Sequence, residues 1–184
     1  MSVTRNYSLE NLAARAEIQD RIHAWTRGVD RRDWTLAASA FHPDGWDDHG
    51  LWKGDIPGLV RTMEPRHAMI PKASHQVSNI VIEFVDETTA VVESYLFVWL
   101  GHDPEDQVHR SAIAEGPGDS MLMSARYVDL FKHRDGAWRI QKRTTAFEAS
   151  MHFDADKTMK PVFTRGTREP DDVLHTLRHE MGLA

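Results

Sequence analysis

Four stretches of this chain, residues 74–84, 88–100, 120–134 and 137–151, read as long β-strands, and the second is apolar on both faces. Successive strand residues point to opposite sides. Val91, Tyr95, Phe97 and Trp99 therefore share one face, and Ala90, Val92, Leu96 and Val98 the other. A sheet apolar on both sides needs helices or a second layer against it. Turns at Asp86-Glu87 and Asp135-Gly136 join neighbouring strands, the second a strong hairpin signal. Antiparallel hairpins are the natural arrangement.

Helices precede the strands. Ile18, Ile22, Trp25 and Val29 make one apolar stripe over a helix at 9–31, with Ser8 placed to cap it. Asp33 caps a second short helix, 34–41. His42-Pro43-Asp44-Gly45 has turn composition, a short strand over 47–53 follows, and Pro57 opens a third helix reaching Arg66. Residues 171–181 form a terminal helix, and the polar stretch 101–119 has the length of a lid or binding loop. Helices followed by hairpins define an α+β protein.

The 184 residues suit one domain, 1–184, with a core over about 9–150 and an extension over 151–184. Lys and Arg number 22 against 28 Asp and Glu, a net charge of −6 spread along the chain. Nucleic acid and anionic membranes need a basic cluster, so neither is an expected partner. With no cysteine, thiolate metal sites, disulfides and thiol nucleophiles are excluded. The first eight residues have no apolar run of signal-peptide type, and a soluble cytoplasmic protein is expected.

Glycine-rich nucleotide loops, G-x-S-x-G and H-E-x-x-H are all missing. The densest polar cluster runs from His42 to His49, with two His and three Asp in eight residues. It reads as a two-His-one-carboxylate metal site or, more simply, as a polar loop in which Asp44 and Asp48 cap turns. The simpler reading leaves no metal and no cofactor. His75 opens a strand and shares a face with Val77, Asn79 and Val81. By strict alternation Arg143 shares a face with Thr145 and Phe147, opposite Trp138 and Ile140 unless a bulge intervenes. A strand-interior arginine ordinarily pairs with a carboxylate. Asp30 lies on the flank of the first helix, where helical geometry alone does not choose it over Asp33.

Several motifs occur together and in order: residues 12–20, Gly28-Val29-Asp30-Arg31-Arg32-Asp33-Trp34, His42-Pro43-Asp44 with His49-Gly50, Ser74-His75-Gln76-Val77-Ser78-Asn79, Arg126-Tyr127-Val128-Asp129, and Asp135-Gly136-Ala137-Trp138-Arg139-Ile140. The set resembles the SnoaL-like (NTF2-like) superfamily over about residues 9–150. Among its enzymes the likeness is to the branch of lindane dehydrochlorinase, scytalone dehydratase and bile acid 7α-dehydratase. The resemblance implies a cone, in which a bent antiparallel sheet wraps around the first helix and encloses a pocket. It also implies that Asp30 and His75 are the catalytic dyad, with Arg143 as the helping arginine. His75 would take a proton from carbon, Asp30 would hold its tautomer, and Arg143 would stabilise the departing anion. Asp44, His49, Trp25 and Phe147 are the expected substrate-binding residues.

The expected function is a cofactor-independent lyase on a hydrophobic ring-containing small molecule, by dehydration, related β-elimination or retro-aldol deformylation. The resemblance keeps two rivals: a ketosteroid-type isomerase or polyketide cyclase, and a non-catalytic β-subunit of an aromatic-ring dioxygenase. The last predicts an occluded cone. A homo-oligomer, dimer or trimer, is expected.

Overall fold

The computed structural model describes residues 7–101, 119–155 and 162–183. Helix α1 spans Leu9–Arg31, and the Ser8 hydroxyl accepts from the Asn11 N–H at 3.2 Å. Its apolar stripe, Ile18, Ile22, Trp25 and Val29, is buried. The helix ends at Arg32, whose φ of 56° turns the chain back, while the Asp33 N–H bonds to the Gly28 carbonyl at 2.8 Å. Asp33 then caps α2 (Trp34–Ser39) by accepting from Leu36 N–H at 2.9 Å. The two helices approach so closely at Gly28 that a Cβ there would sit 2.5 Å from the Ala37 nitrogen. No larger residue fits without moving α2.

Strands β1 (Phe41–Asp48) and β2 (Lys53–Asp55) form a hairpin. Asp55 caps α3 (Ile56–Ala68), with Pro57 in its first turn. The long strands are β3 (Lys72–Asp86), β4 (Thr89–Gly101), β5 (Ser120–Arg134) and β6 (Ala137–Phe153), and α4 (Val173–Glu180) lies in the C-terminal extension. The sheet runs β2-β1-β6-β5-β4-β3 and is bent and unclosed. The architecture is the expected α+β cone, with α1 packed on one sheet face and Trp25 meeting Tyr127 of β5.

Local readings change in three places. Residues 42–45 are not a free turn. They lie within β1, where pairing to β6 jumps from Phe41–Ile140 to Trp46–Lys142, so the turn composition appears as a bulge. The strand read at 47–53 is two strands joined through residues 49–52, and β1 pairs with β6 in parallel. The outer face of β4 is uncovered: Tyr95 and Phe97 are 41% and 53% exposed, while Val92 and Val98 opposite are buried. Residues 102–118, most of the stretch read as a lid, lie outside the described residues.

Bulges also reset the alternation. Asn79 adopts φ 48° where the β3–β4 register shifts, so Ile82 rather than Val81 joins the inward face of His75. Gln141 is the extra residue in β6 between the pairs Leu130–Lys142 and Phe131–Ile140. That one insertion turns Arg143 and Thr145 to the same buried side as Trp138 and Ile140.

Candidate active site

A cavity of about 430 Å³ opens between α3, the β1–β2 turn and the ends of β3 to β6. Met63, Val98, Leu100, Met121, Met123 and Phe147 make most of its wall apolar. Six polar side chains break that wall: His49, Arg66, His67, His75, Glu148 and Ser150. A small, largely apolar hollow with a few convergent polar groups is the usual form of a site for a small organic molecule.

The first residues of β3 run beside the last turn of α1, bringing His75 to Asp30. The His75 ring donates from Nδ1 to Asp30 Oδ1 at 2.6 Å, and the His75 backbone N–H donates to Oδ2 at 2.9 Å. One carboxylate thus grips both ends of the residue. Because a carboxylate only accepts, a ring proton sits on Nδ1, and in the neutral ring this leaves the lone pair on Nε2. The dyad is largely shielded, with side-chain exposures of 8% for His75 and 16% for Asp30. The two groups are in direct contact.

The second polar cluster comes from the last turn of α3 and from the C-terminal extension. Arg168, only 5% exposed, donates to the carbonyls of Val29 (2.6 Å) and Asp30 (2.9 Å) at the end of α1. It also donates to the carbonyls of His67 (3.2 Å) and Ile70 (2.6 Å) at the end of α3. Helix ends leave such carbonyls without partners, and one guanidinium satisfies two ends at once. Arg168 Nη2 also reaches His67 Nδ1 at 3.3 Å. Burial, then the cations Arg66 and Arg168, hold His67 well below the usual histidine range, so the ring is neutral. Burial alone lowers Arg66 to about 10, which leaves it charged at neutral pH.

Arg143 stands elsewhere. It is fully buried, bonded twice to Asp129 (Nε to Oδ1 at 2.7 Å, Nη2 to Oδ2 at 2.6 Å), and its guanidinium lies 3.8 Å from the centre of the Tyr127 ring. Burial pushes the Asp129 carboxyl up, opposed by Arg143; burial likewise pulls Arg143 down, and Asp129 outweighs it. Arg143 does not line the cavity. Placement on the inward face, set by the bulge at Gln141, puts it in the core behind the site.

The other expected binding residues divide. His49 and Phe147 line the cavity, their rings edge-to-face at 6.3 Å. His49 Nδ1 also meets Asp47 Oδ1 at 3.2 Å. Trp25 sits one layer deeper, 6.1 Å from His49, and donates to the Tyr127 hydroxyl at 3.2 Å. Asp44 is a correction. It lies in the exposed β1 bulge and pairs with Arg134, which lowers its carboxyl to about 2. Nothing brings it to the cavity. His42 Nε2 faces the Lys132 carbonyl at 2.9 Å, so His42, Asp44 and His49 have three separate partners. Among the described residues no three His, Cys, Asp or Glu side chains gather as metal ligands.

Arg66, His67 and Arg168 were not expected. A basic pair at the end of a predicted helix reads first as a favourable C-terminus. Nothing local marks Arg168, which reaches α1 across 138 residues of sequence.

Residues 10–144 match the SnoaL-like domain, and the chain belongs to that family. It is 28% identical to a γ-hexachlorocyclohexane dehydrochlorinase of Sphingobium indicum, over 79% of this chain and 90% of that protein. Among solved structures, a type 2 hexachlorocyclohexane dehydrochlorinase superposes with a TM-score of 0.69 at 21% identity, covering 84% of this chain and 99% of that one. A scytalone dehydratase-like protein of Novosphingobium aromaticivorans gives 0.64 at 19% identity, covering 85% and 98%.

Proposed function

We propose that this protein is a cofactor-independent lyase that eliminates a leaving group from a hydrophobic, ring-containing small molecule, with His75 as general base and Asp30 as its orienter. The observation that carries this reading is the double grip of Asp30 on His75 beside an apolar cavity. Membership of the SnoaL-like family and the dehydrochlorinase relatives support the lyase class.

The chemistry needs few parts. His75 Nε2 takes a proton from a carbon next to the one bearing the leaving group. The C–H electron pair becomes the new double bond, and the leaving group departs with its own bonding pair. A departing hydroxide takes the proton from His75 and leaves as water; a departing halide leaves as the anion, and the proton passes to solvent. Asp30 stabilises the imidazolium formed on the way and holds the ring in place. His49 and Phe147 position the substrate. Arg143 holds the core of the cone through Asp129 and acts on the reaction only from a distance.

An open cavity beside the dyad favours an enzyme over a non-catalytic subunit, for which an occluded cone was expected. The uncovered row Val91, Tyr95 and Phe97 supports association with further copies of this chain.

The test is a panel of ring compounds carrying a hydroxyl or halogen next to an acidic C–H, with γ-hexachlorocyclohexane among them, followed by ultraviolet absorbance and halide release. Deuterium at the abstracted position should slow single turnover in the parent, and His75→Ala should abolish it. Turnover with no isotope effect that survives His75→Ala would overturn the proposal.

A further inference from the structure

The dyad supplies a base; elimination also needs something to receive the negative charge. Arg143 is committed to Asp129 and does not line the cavity. Arg66 does line it, and its Nε is buried with no hydrogen-bond partner. Among the described residues Arg66 forms no ion pair; Glu148, the carboxylate that also lines the cavity, is held by Arg126 at 2.6 Å. A largely buried guanidinium without a counter-charge is costly unless a ligand completes it.

The neighbouring residue points the same way. Arginine has donors only, so the contact from Arg168 makes His67 Nδ1 an acceptor. The proton of the neutral ring then sits on Nε2, and the hydrogen bonds of the described residues engage Nδ1 alone. His75 has the opposite arrangement, with its proton on Nδ1 and held by Asp30. Two histidines thus line one cavity in opposite tautomers, one offering a lone pair and the other an N–H.

We infer that Arg66 and the His67 Nε2–H form an anion-binding pole, which receives the oxygen or halogen that gains negative charge as His75 removes the proton. This rests on the elimination reading and narrows its substrates to those whose ring carries a carbonyl, hydroxyl or halogen able to reach α3 while the C–H faces His75. Both residues donate hydrogen bonds and neither gives up its proton, because losing one would leave His67 as an imidazolate. Arg168 is a positioning residue: it fixes the tautomer of His67 and touches nothing that reacts.

Binding of 4-nitrophenolate, compared with the neutral isostere 4-nitrotoluene at mildly alkaline pH, tests the pole without turnover. The parent should prefer the anion by about tenfold or more, as expected for charge-assisted hydrogen bonds in a shielded site. Arg66→Met and His67→Phe should each lose most of that preference while still binding 4-nitrotoluene, which also reports that they are folded. Arg66→Gln is the second variant if methionine disturbs α3. His75→Gln should keep the preference, so failure of the base assignment and failure of the pole are separable. Nitrogen-15 NMR of the ring should find the His67 proton on Nε2 in the parent and a mixture of tautomers in Arg168→Gln. No preference in the parent, a preference unchanged in either pole variant, or a His67 proton on Nδ1 would overturn the inference.

Discussion

Asp30–His75 and Asp129–Arg143 are both acid–base pairs built across the cone, yet their surroundings differ in kind. In the first, a carboxylate grips one edge of an imidazole and leaves the other nitrogen beside an apolar cavity. In the second, a carboxylate grips a guanidinium with two bonds, both side chains have no exposure, and the Tyr127 ring covers the cation. A pair does chemistry only if one member keeps an unused atom where substrate arrives. A sealed pair spends its interaction on the fold. Under the proposed function, the contrast places catalysis with the first pair and architecture with the second.

The comparison breaks most visibly at the base. His75→Ala should lower turnover by about a hundredfold to ten-thousandfold, the usual range for a general base, with the melting temperature little changed. Arg143→Met should show the reverse, losing about 3–5 kcal/mol of stability in denaturant titration because Asp129 is left buried and unpaired. Its rate per folded molecule should stay within a few-fold of the parent, and adding Asp129→Leu should recover part of the stability.

A smaller effect lies in pH. The unfolded chain takes up a proton on His67 near the ordinary histidine pKa, while burial and the cations Arg66 and Arg168 keep the folded ring neutral. The unfolded state therefore binds more protons below roughly pH 6.5, and stability falls as pH drops through that window; above it His67 contributes no slope. His67→Phe should flatten the acid limb by up to about 1.4 kcal/mol per pH unit in chemical denaturation. The smallest effect belongs to Asp44→Ala: the carboxylate is exposed and bound to Arg134, so turnover and melting temperature should both stay at parental values.

Much of the architecture could be read directly from residue patterns. The α1 stripe and the Ser8 and Asp33 caps depend on neighbours within a few residues, where periodicity and side-chain chemistry are informative. His75 and Asp30 came from a resemblance, since nothing within either segment says that 45 residues of chain will close on one contact. The face assignments that failed did so at bulges. The bulges in β3 and β6 each insert one residue and invert the faces beyond it, so alternation misplaced Val81 past Asn79 and left Arg143 undecided past Gln141. Asn79 gave a faint sign, being a residue type that tolerates positive φ. Gln141 gave none. Arg168 was invisible because its role exists only once two helix ends have met.

The most direct test of the central claim is a double-mutant cycle on Asp30→Asn and His75→Gln, read by single-turnover rate and melting temperature on the same samples. If the two residues act as one base, each single variant should be slow and the double variant scarcely slower than the slower single, with all three still folded. Independent effects that multiply, or a folded His75→Gln protein turning over within a few-fold of the parent, would contradict the account.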